Sequence, residues 1–550
     1  MRILDRVTRL LGLASEVSGL LKARLQLAAQ APEGAMNRAS LPAQRDWSPV
    51  GWPPRSGEAP VPCSLDAAPW RHPFLTAPNI SRFRGYSEQV WSFAQAHSAT
   101  ASRPLSVGFM INMAQNMYKW ACMARRQGID AELYLNAMDG SALSCPEWEE
   151  FDGEFGDVLN AEEFLTAHPN IRLEVPCHRV PLEDWQLLSL HQRFLAGERG
   201  PLLHLLASMP GVRHEVLLAY QGFYPYARWA AELNRHDVLY AASSPFPAYA
   251  SGRPYCVFAV GGDLQIDCGR ADDYGRAMAL AFNAARFLMV SNPHALGHSR
   301  RLALTNGVYL PYPVDEVRYC PGESRARVDW EARCGRGVYV LTTARLDAHV
   351  KGFGVDFVDV LVGLARQCPS LRFVFLAWGK DSHACRQRLE ASPVRGQFLF
   401  LPPVGKRRLI DYYRAADVIL DQLVYGYYGA TALEAAAIGK PVVMHLRAEH
   451  YAPLYAGEVM PALVVRDHAD LRRALLQLAG ESSRRDAHGV AMRSWLVRHH
   501  GTQRTMPLLT DLLRLAADRV PLPTDLVNPL ASPLNEDEIA YHASCLVPAS

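Results

Sequence analysis

The chain has 550 residues, a formal net charge of +2, 49% hydrophobic and 20% charged residues. These are the proportions of a globular protein with two or more domains, and so small a net charge excludes a global electrostatic drive toward nucleic acid or an anionic membrane. No run of about 18 apolar residues occurs, so no transmembrane helix is expected, and the 11 Cys form no C-x-x-C pair, which favours reduced thiols in a cytoplasmic protein over a disulfide framework or a zinc site.

Residues 1–30 repeat apolar positions at three- and four-residue steps, with Leu4, Val7, Leu11, Ala14, Val17, Leu21 and Leu25 on one face and Arg2, Arg6, Arg9, Lys22 and Arg24 on the other. Asp5, Arg6 and Arg9 interrupt any signal-peptide core. The pattern is that of a basic amphipathic helix. It suits peripheral contact with the inner face of a membrane, or docking on the protein itself or on another copy. Residues 31–79 are rich in Pro, with Trp47, Trp52 and Trp70 among them, and read as an irregular linker.

From about residue 80 strands and helices alternate. Leu105 to Ile111 is a buried strand, Asn112 to Arg126 a helix stopped by Gly128, and Ala131 to Leu135 the next strand. The loop between the first two lacks G-x-G-x-x-G, so it is not a dinucleotide fingerprint. Residues 151–185 read as loops, and 186–207 as helix. Further strands are His236–Tyr240, Tyr255–Val260, Phe287–Ser291 and Val308–Pro311. The strand Tyr255–Val260 runs into Gly261, Gly262 and Asp263, where the backbone must turn sharply or let something approach closely.

A second series starts at Gly337, with strands at 338–343, 371–377, 397–401, 417–421, 441–445 and 462–465 and helices near 354–367, 382–391, 406–415, 430–438 and 467–479. Such alternation predicts an α/β fold, with a parallel sheet covered on both faces in each of two Rossmann-like domains whose strand ends face a cleft. The domains are expected at 80–325 and 326–482, followed by helices around 483–499 and 504–518 and a Pro-rich tail of no clear structure.

The chemistry gathers at the strand ends of the second domain, where an open α/β sheet holds its ligand. Arg345 and Lys351 follow the first strand, with Gly352 and Gly354 opening the next helix. Arg offers a bidentate fork and Lys a point charge, a pair suited to a diphosphate. Gly379 ends the second strand, and Leu401, Pro402, Pro403 and Val404 end the third, where backbone could read a base edge. Tyr428 and Gly429 open a helix rich in Ala, with Ala430 and Thr431 in its first turn and Glu434 one turn further in. Gly439 and Pro441 end it before Val442 and Val443 begin a strand. A Gly-opened helix presents free N–H groups and a positive dipole end to a phosphate or a sugar hydroxyl.

In these motifs, over about residues 100 to 480, the chain resembles the retaining GT-B glycosyltransferases of the family 4 type (glycosyl transferases group 1). The resemblance implies an enzyme with an acceptor-binding first domain and a nucleotide-diphosphate-sugar-binding second domain, working without a metal or other cofactor. No Asp-x-Asp follows a strand. Arg345 and Lys351 would bind the diphosphate and stabilise the leaving group. Glu434 would bind the ribose hydroxyls, backbone near Pro403 and Val404 the base, and N–H groups of Gly429 to Thr431 the sugar or phosphate. Gly352, Gly379 and Tyr428 belong to the same donor-binding set. The acceptor would be a glycan, a lipid-linked molecule or a small molecule, and the usual setting of such enzymes is polysaccharide biosynthesis.

The chain departs from the pattern in two places. The family carries a second glutamate eight positions before the ribose-binding one, and here that position is Gly426. Asp421 and Gln422, at the preceding strand end, are candidates to substitute for it. The Gly-Gly usual in the first domain's first loop is replaced by Asn112 to Gln115. Asn112, Gln115 or Asn116 either touch sugar or acceptor, together with Gly261, Gly262 and Asp263, or form a polar helix cap. Two other readings fit the same residues: a sugar-nucleotide epimerase of the same fold, and a catalytically inactive nucleotide-sugar-binding or scaffold subunit.

Overall fold

The computed structural model describes residues 71–136, 141–155, 160–180, 189–209 (without 191 and 195), 226–269 and 273–544. The amphipathic segment 1–30 and most of the Pro-rich segment after it lie outside the described residues. Among the described residues no helix is long and apolar enough to cross a membrane.

Two parallel sheets organise the chain. The first has seven strands in the order β3-β2-β1-β4-β5-β6-β7, with β1 at Ser106–Met110, β2 at Asp130–Asn136, β3 at Cys177–Val180, β4 at Val238–Ala242, β5 at Tyr255–Phe258, β6 at Phe287–Val290 and β7 at Gly307–Tyr309. The second has six, in the order β10-β9-β8-β11-β12-β13, with β8 at Val338–Thr342, β9 at Leu371–Leu376, β10 at Phe398–Leu401, β11 at Val418–Leu420, β12 at Val442–Met444 and β13 at Leu463–Val464. Strands such as β4 and β8 are buried at every position. They are near-continuous apolar runs because helices cover both faces of a parallel sheet. The register pairs Val340 of β8 with Phe373 on one side and Val418 on the other. Chain order reverses between β1 and β4 and again between β8 and β11, so each sheet has a crevice at the carboxyl ends of those two strands.

A helix that the sequence pattern did not mark precedes β1. It runs from Ala77 to Ser98, with Thr76 accepting the N–H of Asn79 at 3.4 Å and a Pro in its first turn. It buries Ile80, Phe83, Tyr86, Val90 and Trp91 against β7 and the helix Thr502–Ala517. Trp91 donates its indole N–H to the Tyr309 carbonyl at 2.9 Å.

The chain passes between the sheets twice, side by side. Val314 bridges Gly501, and its N–H donates to the His500 carbonyl at 3.0 Å. The helix Ser482–His500 lies on the helix Ala430–Ile438 of the second sheet. A side chain at Gly489 would collide with the Gly439 carbonyl, so only glycine permits this approach. The helix Thr502–Ala517 then packs on β4, β5 and the helix Ala77–Ser98.

The tail is structured over its described residues, up to 544, contrary to expectation. A helix at Glu536–Ser544 docks on the first domain. Arg300 donates to both oxygens of Glu538 at 2.8 and 2.7 Å, with both side chains only 3% exposed. His542 lies 2.8 Å from His72, nitrogen to nitrogen. Residues Glu536 to Ser544 carry no apolar stripe, so what holds this helix is polar pairing with residues far away in sequence.

The loop after β1 is strained. Ile111, Ala114 and Gln115 have φ of 63°, 52° and 65°, in the left-handed region that disfavours residues other than glycine. This is the loop where the resemblance leads one to expect Gly-Gly. Ala114 is exposed, so removing its methyl loses no packing. Ala114→Gly is expected to raise the unfolding free energy by about 0.5–1 kcal/mol. Urea denaturation checks this, and an unchanged or lowered midpoint would show the loop to be unstrained.

Candidate active site

The loops after β8, β9 and β11 form one unit. Asp347 accepts the N–H groups of His349 and Val350 at 3.1 and 3.0 Å and pairs with Lys380 at 3.3 Å. The Leu346 N–H donates to the Trp378 carbonyl at 2.8 Å, and the Asp381 N–H to the Leu346 carbonyl at 3.0 Å. Gly379 has φ 103°, and a Cβ there would strike the Leu346 backbone. Its role in the fold is to let the β9 turn lie flat on the β8 loop. Gly352, at φ 80°, faces the side chains of Leu423 and Val424, and the Lys351 carbonyl accepts the Leu423 N–H at 2.8 Å. The result presents two cations: Arg345 is exposed, Lys351 half-buried, and neither makes an ion pair among the described residues.

Beside Lys351 stands Asp421, 2% exposed. Its carboxylate faces the backbone N–H groups of Gln422 and Ala432, while Oδ2 has no hydrogen-bond partner among the described residues. Burial raises its pKa, and the Lys351 charge and those two N–H groups only partly offset the rise. Asp421 therefore joins the Lys351 loop to the first turn of the helix Ala430–Ile438. Gly429, exposed and with φ −111° and ψ −166°, opens that helix without a side-chain cap. Thr431 meets Thr343 at 3.3 Å, hydroxyl to hydroxyl. The structure thus brings Lys351, Gly352, Asp421, Gly429, Ala430 and Thr431 together at the β8/β11 crevice.

Several other expected contacts are otherwise engaged. Gln422 uses both ends of its side chain inside its own loop, donating to the Tyr427 carbonyl and accepting the Tyr425 N–H. Tyr428 turns its ring inward, stacked on Tyr451 at 4.3 Å between centroids. Asp263 accepts the N–H groups of Val260, Gly261 and Leu264 at 2.9–3.0 Å. Burial pushes its carboxyl up to about 6, against the pull of those bonds. Asp263 thus holds the turn that leaves Gly262 exposed, and its oxygens face the protein rather than a sugar or acceptor. Asn112 and Gln115 are likewise occupied. Asn112 donates to Gln115 and to the Ser144 carbonyl, and Gln115 to the Leu143 and Cys145 carbonyls. Asn116 accepts the Tyr312 hydroxyl. Of the two options the sequence left, Asn112 takes the cap-like one, its Oδ1 accepting the Tyr118 N–H at 2.8 Å in the first turn of the helix Asn116–Arg126, while its amide and that of Gln115 also tie to residues 143–145. At Gly426, φ is 76° and a Cβ would run into the Arg447 side chain at 2.6 Å. The space of the missing glutamate is therefore filled.

Glu434 shows what sequence reasoning missed. It is 2% exposed and accepts from Lys406 at 2.8 and 2.9 Å, from Tyr413 at 3.3 Å and from Lys119 of the first domain at 3.4 Å. Burial alone would raise its pKa, but Lys406 and Lys119 outweigh burial and hold the carboxyl below the ordinary range. Lys119 sits off the apolar stripe of its helix and Lys406 opens another, so neither carries a local signal. Pro403 and Val404 are covered too. Phe155 donates its N–H to the Pro403 carbonyl at 2.8 Å, and Gly405 donates to the Gly153 carbonyl at 2.9 Å.

Two Rossmann-like domains of parallel sheet, joined by paired crossings, define a GT-B fold. Residues 337–481, the second sheet and its helices, match the family described as glycosyl transferases group 1. The chain is 40% identical over 90 residues to the D-inositol 3-phosphate glycosyltransferase of Xylanimonas cellulosilytica, covering 16% of this chain and 22% of that protein. It is 33% identical over 91 residues to the enzyme of the same name from Mycolicibacterium smegmatis, covering 16% and 21%. The chain thus spans about a fifth of the length of the curated relatives it matches. Among solved structures it is similar in fold to Anabaena Alr3699/HepE in complex with UDP and glucose, with a TM-score of 0.50, 12% identity and coverage of 76% of this chain and 100% of that one.

Proposed function

We propose that the protein is a metal-independent glycosyltransferase that moves a sugar from a nucleotide-diphosphate donor to an acceptor hydroxyl with retention of configuration, in glycan or polysaccharide biosynthesis. The observation that carries this reading is the two cations Arg345 and Lys351, which make no ion pair among the described residues, beside the helix start at Gly429 that has no side-chain cap, within the segment that matches glycosyl transferases group 1. The diphosphate lies against these cations and the helix N–H groups. As the glycosidic C–O bond breaks, the leaving phosphate gains charge, and Lys351 and Arg345 stabilise that charge in a crevice partly shielded from water. The acceptor hydroxyl attacks the anomeric carbon on the face the diphosphate leaves. The UDP and glucose in complex with Alr3699/HepE and the name of the D-inositol 3-phosphate glycosyltransferase relatives support a sugar nucleotide as donor.

A panel of nucleotide sugars and hydroxyl acceptors tests the reading. The expected products are a free nucleoside diphosphate and an acceptor glycosylated with the donor's anomeric configuration, seen by NMR. An isomerised sugar nucleotide would establish an epimerase instead. A second reading, a nucleotide-sugar-binding subunit without turnover, is favoured by Gly426 and by the engagement of Glu434 with two lysines. Binding without transfer or hydrolysis across the panel would establish it.

A further inference from the structure

The half of the crevice expected to take the diphosphate is open, while the half expected to take the nucleoside is covered by the first domain. Glu154 forms an antiparallel bridge with Val404. Three main-chain bonds line this contact: Phe155 N–H to Pro403 O at 2.8 Å, Gly405 N–H to Gly153 O at 2.9 Å, and Arg407 N–H to Phe151 O at 3.2 Å. The fit is close enough that a Cβ at Gly405 would collide with the Phe151 carbonyl. Ion pairs of Arg407 with Glu150 at 2.7 Å and of Arg408 with Asp152 at 2.9 Å flank it. Trp378, at the end of β9, packs on the cluster of Ala142, Cys145, Trp148, Phe155, Ala161 and Phe164.

This covering segment belongs mechanically to the first domain. Gln115 and Asn112 hold residues 143–145, and Arg179 pairs with Glu147 at 2.7 Å. Lys119, which reaches Glu434, comes from the same domain. The base-side edge and the ribose-side carboxylate are thus closed by two contacts on one parting plane between the domains.

Building on the proposed donor reading, we propose that residues Phe151–Phe155 are an internal competitor of the donor's nucleoside. They occupy the Pro403–Gly405 edge, Lys119 holds Glu434, and a nucleoside diphosphate binds only when the two domains part along this plane. The affinity measured for a nucleotide is then the intrinsic affinity reduced by the fraction of molecules that are open.

A reversible lock tests this. In an antiparallel bridge of this kind the Cα atoms lie about 4.5 Å apart, within disulfide range. Glu154→Cys with Val404→Cys is oxidised and then reduced, and UDP, GDP and ADP are titrated by calorimetry into both states. The single-Cys variants under the same oxidant control for the native thiols. The expected result is binding at least about tenfold weaker in the oxidised state and restored on reduction. In parallel, Gly405→Ala is expected to push the segment off and tighten binding several-fold. Equal affinity in the oxidised and reduced states overturns the inference and leaves the donor reading standing. No binding of any of the three diphosphates to any form overturns both.

Discussion

Replacing Lys351 by alanine is expected to lower kcat by about 10²–10³-fold, equivalent to about 2.7–4 kcal/mol of lost transition-state stabilisation. The backbone that shapes the loop does not depend on the side chain: the Lys351 N–H donates to the Asp347 carbonyl at 2.9 Å and its carbonyl accepts from Leu423. Truncation therefore removes the charge and leaves the β8–β11 connection in place. Lys351 is half-buried and makes no ion pair among the described residues, so its charge is available to a ligand and less screened than that of the exposed Arg345. Asp421 is a buried anion that feels the Lys351 charge: burial raises its pKa and the ammonium partly offsets the rise. Steady-state turnover alongside calorimetric nucleoside-diphosphate affinity checks the prediction. A large fall in kcat with a smaller change in affinity is expected, because charge on the leaving phosphate grows only as the bond breaks. Wild-type turnover in Lys351→Ala would remove the mechanism proposed here.

Local chemistry made much of the fold legible. The helices at 406–415 and 430–438 stand where composition and the flanking Gly and Pro put them, because each carries its own start or stop signal. The strands of both series lie within two residues of their expected limits; the overshoot at Tyr255–Val260 arises where β5 ends at Phe258 and Asp263 takes over the backbone. The short strand Cys177–Val180 escaped because it is an edge strand, only one of its four residues is buried, and it pairs on a single side. The helix Ala77–Ser98 escaped because Pro78 and the Pro- and Trp-rich residues before it read as linker.

At the site, residues that act through their own backbone could be found from sequence. Gly352, Gly379 and Gly429 mark turns and an open helix end whatever their partners are. Residues that act through distant partners could not. Nothing near Gly426 announces that Arg447 fills the place of a glutamate, and nothing near Pro403 announces Phe151 to Phe155. Asp421 lies between these cases. Its position at a strand end was visible, but its orphan oxygen and its link to Ala432 depend on how the next helix lands.

Glu434→Gln is expected to destabilise the protein by about 3–5 kcal/mol. The substitution keeps the side chain's shape and an acceptor oxygen but removes the charge that holds two ammonium groups. Lys406 is partly open to solvent, at 16% side-chain exposure, and can rehydrate, whereas Lys119, at 9%, cannot without local rearrangement. Lys119 would then be a buried cation left with the Tyr312 hydroxyl at 3.4 Å. Its pKa, raised by Tyr312, Glu434 and Glu149 against the effect of burial, would fall. Removing one partner of a buried pair is more damaging than removing both, so Lys119→Met in the Glu434→Gln background is expected to recover most of the loss. Lys119→Met alone is expected to have a smaller effect, since Glu434 keeps Lys406. The effect carries a pH signature. The folded pKa of Glu434 lies below its unfolded value, so its stabilisation is present above the ordinary carboxylate pKa of about 4.3 and is lost as pH falls through the folded pKa. The gap between wild type and Glu434→Gln should therefore be full at neutral pH and close in acid. Urea denaturation of the wild type, the two single variants and the double variant, at neutral pH and in acid below the ordinary carboxylate range, measures all of this as one cycle. A Glu434→Gln variant within about 1 kcal/mol of wild type at neutral pH would show that Glu434 carries no net stabilising charge, and that its lysines do not need it.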